Sequence, residues 1–228
     1  MLELPNVTIL AVDCITPEES IKAINYSCKN IRFKDRILLT SENMASDNIK
    51  VIKIDKLNGL NDYSNFMLRL IEYVDSDFVL VVQPDGYVLN HVKWIPEWLN
   101  LDYIGAVWPN EQSWVEIQKA NKYLPVSPNP PIVGNGGFSL RSRKFLELSY
   151  EFVDCEGFGE DAYLCATKRG YMLANGIKFA HPSFASIFSR ENNLSDWRNP
   201  GIHLPEWSFG FHGKNFVNSK ELIDFKNG

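Results

Sequence analysis

The chain is poor in the features that staple, secrete or anchor a protein. It has only four cysteines among 228 residues. They stand at positions 14, 28, 155 and 165, with no Cys-x-x-Cys pair and no zinc-ligand spacing. No disulfide framework is implied, and a reducing, cytoplasmic setting is expected. No stretch approaches the ~18 consecutive apolar residues of a membrane-spanning helix. The run Met1-Leu2-Glu3-Leu4-Pro5 has no basic segment, so no secretory leader is expected there. Positive charge is not in excess either: 23 Lys and Arg face 28 Asp and Glu, a net charge of -5. That balance argues against a nucleic-acid polymer or an anionic membrane as the main partner, while leaving room for a small anion. The Gly-x-Ser-x-Gly elbow, the His-Glu-x-x-His helix and the Walker-type loop are all missing. Their absence removes the commonest serine hydrolases, metalloproteases and P-loop enzymes. No internal repeat or low-complexity tract occurs.

What is present fits one ordinary globular domain. Apolar residues make up 45% and charged residues 22%, and a chain of this length buries roughly 70% of its unfolded surface. Val7 to Val12 is a β-branched run suited to a buried parallel strand. Thr16-Pro17-Glu18-Glu19 supplies a capping residue, an early proline and early acids for a helix reaching about Cys28, with Ile21, Ile24 and Cys28 on one face. Arg36 to Thr40 and Lys50 to Ile54 are the next predicted strands. Asn61-Asp62 opens a helix bearing Phe66, Leu70 and Val74, and Phe78 to Val82 reads as the central strand. Strands alternating with helices predict an α/β fold with a mainly parallel sheet flanked by helices. The second half is rich in loops, with a short helix predicted at 113–122. A glycine-bearing strand at 132–140 and helices at 142–152 and 160–169 follow it.

Four segments have chemical potential. Gln83-Pro84-Asp85-Gly86 follows the Phe78–Val82 run, at the strand end where open α/β sheets bind ligands. Asp85 is a hard oxygen donor suited to Mg²⁺ or Mn²⁺, although Pro-Asp-Gly is equally a good turn. Gly134-Asn135-Gly136-Gly137 sets three glycines in a strand, the mark of a bulge or of close backbone approach to a ligand. Gly159-Glu160-Asp161 offers a general base, or simply acids favoured at a helix start. His212, between glycines, is either a metal ligand or a loop histidine. The tryptophans at 98, 108, 114 and 197 can stack on sugars or pack the interior.

In their order, VTILAVDC, YSNFMLRL, FVLVVQPDG, LDYIGAVW, GNGGFSLRS, GED and FGFHG resemble a family of bacterial and fungal glycosyltransferases catalogued as a domain of unknown function. The resemblance covers about residues 5 to 213 and implies a GT-A-like fold, with 1–90 as the nucleotide-binding half and 91–228 as the donor-sugar and acceptor half. It implies sugar transfer from a nucleoside diphosphate sugar, with a uridine diphosphate sugar favoured, to a saccharide or glycolipid hydroxyl. The reaction would invert the anomeric centre and serve surface polysaccharide synthesis, in the cytoplasm or peripherally at the inner membrane face.

Asp85 matches the last acid of the usual Asp-x-Asp motif, with Gln83 in place of the first, and His212 matches a late metal-binding histidine. Asp161 matches the base and Glu160 is its reserve. Asp13 falls where the nucleoside is contacted, while Asn135, Gly136, Gly137 and Trp108 face donor sugar and acceptor. A cofactor ion, Mn²⁺ or Mg²⁺, is implied. Two other classes compete. A silent sugar- or nucleotide-binding module could dispense with Asp85, Asp161 and His212 together. A nucleotidyltransferase would show a glycine- and base-rich loop where Asp13-Cys14-Ile15-Thr16-Pro17 stands.

Overall fold

The run Val7–Val12, buried at every position, forms the strand that the rest of the chain is built around. It is β2 of a computed structural model that describes residues 1–108, 132–191 and 208–213. β1 (Leu2–Leu4) pairs in parallel with β3 (Ile31–Phe33) as a small separate sheet. The main sheet has six strands: β5 (Lys50–Lys53), β4 (Arg36–Thr40), β2, β6 (Phe78–Val81), β8 (Val133–Ser142) and β7 (Tyr103–Val107), in that spatial order. β5, β4, β2 and β6 are parallel, whereas β8 runs antiparallel to both β6 and β7. Helix-bearing connections lead from β2 to β4 and from β5 to β6, whereas β4 and β5 are joined by residues 41–49 without a helix. Edge strand β5 exposes Lys50 and Lys53, which protects it from pairing with another chain.

Helix α1 (Pro17–Ser27) covers one end of β2 and β4. It buries Ser20, Ala23, Ile24 and Ser27, so its packed face is shifted from the predicted Ile21–Ile24–Cys28 stripe. Ile21 and Cys28 lie at the margin of that contact, where small residues let the helix sit closer to the sheet. Helix α2 (Leu60–Met67) starts one residue before the predicted Asn61, and a 3₁₀ turn at Leu70–Tyr73 ends that segment. Helix α3 (Arg143–Ser149) is capped by Ser142, whose hydroxyl accepts from the Phe145 amide. Glu160–Ala162 opens the helix predicted at 160–169, which continues as a π-helix over Tyr163–Thr167 and resumes at Arg169–Ala174. The weakly periodic tail also holds structure: a helix at Pro182–Phe188 and two parallel strands, β9 (Ser189–Glu191) and β10 (Gly210–His212).

A cluster of aromatics from the second half is core. Trp98, Phe138, Phe188 and Phe209 are fully buried and meet ring to ring. Cys155 and Cys165 are buried thiols, held far above the usual cysteine range by burial. Cys14, by contrast, is only half-buried. The helix predicted at 113–122, Trp114 and Trp197 lie outside the described residues. No helix among the described residues is long and apolar enough to cross a membrane.

Candidate active site

β8 brings the site together through an irregularity. Between the pairs Ile104–Leu140 and Ala106–Asn135 it advances five residues while β7 advances two. The surplus backbone is the glycine run, a bulge aimed past the end of β6. Three consecutive residues of it each meet a different partner. The Asn135 amide donates to Glu191 Oε1 at 2.8 Å, the Gly136 N–H donates to Asp161 Oδ2 at 2.8 Å, and Gly137 presses on His212. A β-carbon on Gly137 would stand 2.2 Å from His212 Nε2 and 2.8 Å from Gln83 Oε1, so glycine is required by close approach. On Gly136 it would meet Glu160, Arg141 and Asp161 within 2.9 Å.

Glu160 and Asp161 are neighbours with opposite surroundings. Glu160 is buried and receives the Arg141 guanidinium at 2.7 Å; the two side chains are 6% and 1% exposed. Arg141 also donates to Ser139 Oγ at 3.0 Å and to the Gly136 carbonyl at 3.3 Å. Burial opposes its charge, but Glu160 outweighs burial and holds the guanidinium more firmly protonated than usual. Glu160 is thus committed to an internal ion pair, and the sequence-based expectation of it as a reserve base is corrected on that ground. Asp161 is only half-buried. Its Oδ1 accepts from the Ala162 amide at 2.7 Å, and its Oδ2 from Gly136. Burial, then the nearby Glu160 charge, raises its pKa from 3.8 to about 7, while those two amides and Arg141 pull the other way.

Gln83 and Asp85 occupy the tight turn after β6, where Gln83 and Gly86 exchange backbone hydrogen bonds of 2.8 and 3.0 Å. The Gln83 amide donates to the Tyr63 hydroxyl at 2.9 Å and turns its oxygen to His212 Nε2 at 3.2 Å. Asp85 Oδ1 lies 3.8 Å from the same nitrogen. His212 reaches this turn because β10 bridges to Val88 and the Gly213 amide donates to the Asp85 carbonyl. Burial disfavours the imidazolium, yet Glu191, Asp85 and Asp161 outweigh it and raise the pKa.

These groups fit a divalent cation in kind. Among the described residues no three His, Cys, Asp or Glu side chains are arranged to hold one unaided. The Asp85–His212 pair is completed by the Gln83 amide oxygen, a hard neutral donor. Nε2 confronts two oxygen acceptors, an arrangement that calls for a positive charge between them or a proton on the ring.

Two expected site residues have other placements. The Asp13 carboxylate is committed to the start of α1. It accepts from the amides of Ile15 and Thr16 at 2.8 and 2.9 Å and from the Ser20 hydroxyl at 2.8 Å. It does the capping expected of Thr16, whose hydroxyl donates to Asp13 instead. Trp108 is 6% exposed, and its ring covers Gly134 so closely that a β-carbon there would lie 2.1 Å away. It packs as an interior ring, not as a platform open to a sugar. Three further members carried weak or no local signal. Tyr63 sat in a predicted helix face, and Glu191 in an aperiodic stretch. Arg141 stood in the GNGGFSLRS segment, just past the predicted strand, with no role given to it.

The parallel half-sheet with β8 reversed, and the site beyond its carboxyl edge, define a GT-A architecture. A crystal structure of the galactosyltransferase LgtC in complex with donor and acceptor sugar analogs matches with a TM-score of 0.54 at 14% identity, over 96% of this chain and 94% of that one. An active-site mutant of LgtC matches over the same shares at 15% identity and the same TM-score. The mannosyltransferase PcManGT from Pyrobaculum calidifontis, in complex with GDP-Man and Mn²⁺, aligns at TM-score 0.43 and 14% identity, over 78% of this chain and 56% of that one. No curated protein matches the chain. The family model described as "Protein of unknown function (DUF5672)" matches residues 47–212, and the chain belongs to that family.

Proposed function

We propose that the chain is a glycosyltransferase that moves a sugar from a nucleoside diphosphate sugar, a uridine diphosphate sugar first among them, to a hydroxyl of a saccharide or glycolipid. One observation carries this reading. A half-buried carboxylate with a pKa near 7, Asp161, meets Gly136, and the next residue, Gly137, abuts Gln83 and His212, which with Asp85 make up a cation-fitting trio. Proton acceptor and anion-neutralising site are thereby held side by side at the carboxyl edge of the sheet, the favoured ligand position of such folds.

Asp161 takes the proton of the acceptor hydroxyl as that oxygen bonds to the anomeric carbon. The bond from that carbon to the diphosphate breaks, and its electron pair leaves with the phosphate oxygen. A single displacement of this kind inverts the centre and needs one base, not the carboxylate pair of a glycosidase. Asp85, His212 and Gln83 would hold Mn²⁺ or Mg²⁺, which supplies Lewis-acid neutralisation of the leaving diphosphate. Arg141 and Glu160 keep the bulge and the Asp161 backbone in place. Asn135, Gly136 and Gly137 present the backbone against which donor sugar and acceptor lie. In this division of labour the first ninety residues supply Gln83 and Asp85 for the nucleotide, and the remainder supplies the sugar side. Asp13 shapes the nucleotide end by fixing the start of α1. A silent binding module has no use for a carboxylate whose pKa is displaced toward neutrality, which favours the enzyme.

Titration calorimetry with uridine diphosphate sugars, with and without Mn²⁺, tests the reading. Metal-dependent binding is expected, with slow donor hydrolysis when no acceptor is present, and Asp85→Ala should abolish the metal dependence. Failure to bind any common nucleotide sugar under either condition would sink it.

A further inference from the structure

Glu191 belongs to no motif that singled out the site, yet it touches two of its members. The parallel pairing of β9 with β10 sets Glu191 in register with His212. Its Oε1 lies 3.5 Å from His212 Nδ1 and accepts from the Asn135 amide at 2.8 Å. Asn135 in turn accepts the Gly137 N–H at 3.1 Å, and Gly137 abuts the far side of the same imidazole. A closed circuit results: Glu191, Asn135, Gly137, His212 and back to Glu191.

The demand for such a circuit follows from the imidazole. A histidine that gives Nε2 to a cation must carry its proton on Nδ1, and the group accepting that proton sets both tautomer and ring angle. His212 Nδ1 is buried and makes no hydrogen bond of ordinary length within the structure. Glu191 Oε1 is the carboxylate that faces it.

We infer that Glu191 is a positioning residue: one carboxylate oxygen aims His212 Nε2 at the cation site and ties that aim to the sugar-facing glycine backbone. This rests on the proposed cation site, and it assigns a residue which that reading does not need.

Manganese binding to the full chain, followed by loss of the free-ion electron paramagnetic resonance signal, separates the two. Glu191→Ala should weaken Mn²⁺ binding by about 10–100-fold, the range for removing an outer-shell partner. The thermal midpoint without metal should stay close to wild type, because Glu191 lies partly exposed at the end of a short strand. Glu191→Gln keeps an acceptor oxygen in place and should recover most of the affinity. Glu191→Asp keeps the charge but withdraws the oxygen by one methylene, and should recover less. The reverse order of recovery would show a through-space charge effect and overturn positioning, as would unchanged binding in Glu191→Ala. Wild-type protein that binds no Mn²⁺ would overturn the cation site and this assignment together.

Discussion

Asp161 and Glu160 are chemically near-identical side chains on adjacent residues, and their surroundings divide the work between them. Arg141 claims Glu160 in the interior, while Asp161, half-buried and held by two backbone amides, has its proton affinity raised by burial. The consequence for pH has two signs. In the proposed reaction Asp161 must be unprotonated, so turnover should climb with pH up to about 7 and then level, read from an initial-rate profile. For stability, a carboxyl whose folded pKa exceeds its unfolded value favours the fold most below the unfolded pKa, near 3.8. That contribution is lost as pH rises through about 7. Asp161→Asn should cost roughly 10²–10⁴-fold in transfer while leaving donor binding within a few-fold, and should flatten the acid limb of the profile. Full transfer by this variant would remove Asp161 from the base role. Glu160→Gln is expected to act differently, as a folding defect of about 3–5 kcal/mol from an unpaired buried guanidinium, measurable by denaturant titration.

The element that matters most is β8, because its glycines serve packing and chemistry through the same backbone. Gly210, which opens β10, shows the coupling from the other side. A β-carbon there would stand 2.3 Å from the buried Phe138 ring, inside the Trp98–Phe188–Phe209 cluster. Gly210→Ala should destabilise by ~1–3 kcal/mol through overpacking. Because His212 is two residues along the same strand, it should also weaken Mn²⁺ binding. Gly170 is the contrast: it is exposed on the helix Arg169–Ala174 with nothing within 4 Å of a β-carbon. Gly170→Ala should stabilise by about 0.5–1 kcal/mol with no effect on the metal. Thermal melts paired with Mn²⁺ titration read both variants. The helix after Asp161 is also unusual in continuing as a π-helix, a form frequent at functional sites.

For the molecule as a whole, mild acidity and the proposed diphosphate ligand are compatible only if the positive charge comes from elsewhere. Among the described residues at the site, the guanidinium of Arg141 is spent on Glu160, leaving the cation site as the counter-charge. Uridine diphosphate and Mn²⁺ together should therefore raise the melting temperature more than the sum of their separate shifts, following the mass-action dependence of a ligand that binds only the folded state. Equal stabilisation by the nucleotide alone would argue that side chains suffice.

The parallel strands were legible because they are continuous apolar, β-branched runs, and burial of both sheet faces writes that pattern directly into Val7–Val12 and Phe78–Val81. Gln83, Asp85, Asn135, Asp161 and His212 were legible as candidates because turn and glycine chemistry marks their segments. Their roles were not. Whether Glu160 or Asp161 stays free depended on Arg141, 19 positions away from Glu160. The trio at the end of β6 depended on His212 meeting Gln83 across 129 positions. Trp108 suited a sugar platform or interior packing equally until its contact with Gly134 was considered, and Glu191 gave no local sign at all. The sequence by itself determined the parallel strands of the main sheet, the turn residues and the stock of reactive groups, since these follow from the conformational and hydrophobic preferences of neighbouring residues. Only the tertiary structure decided which carboxylate is paired and which is free, because desolvation and ion pairing arise from contacts between distant parts of the chain.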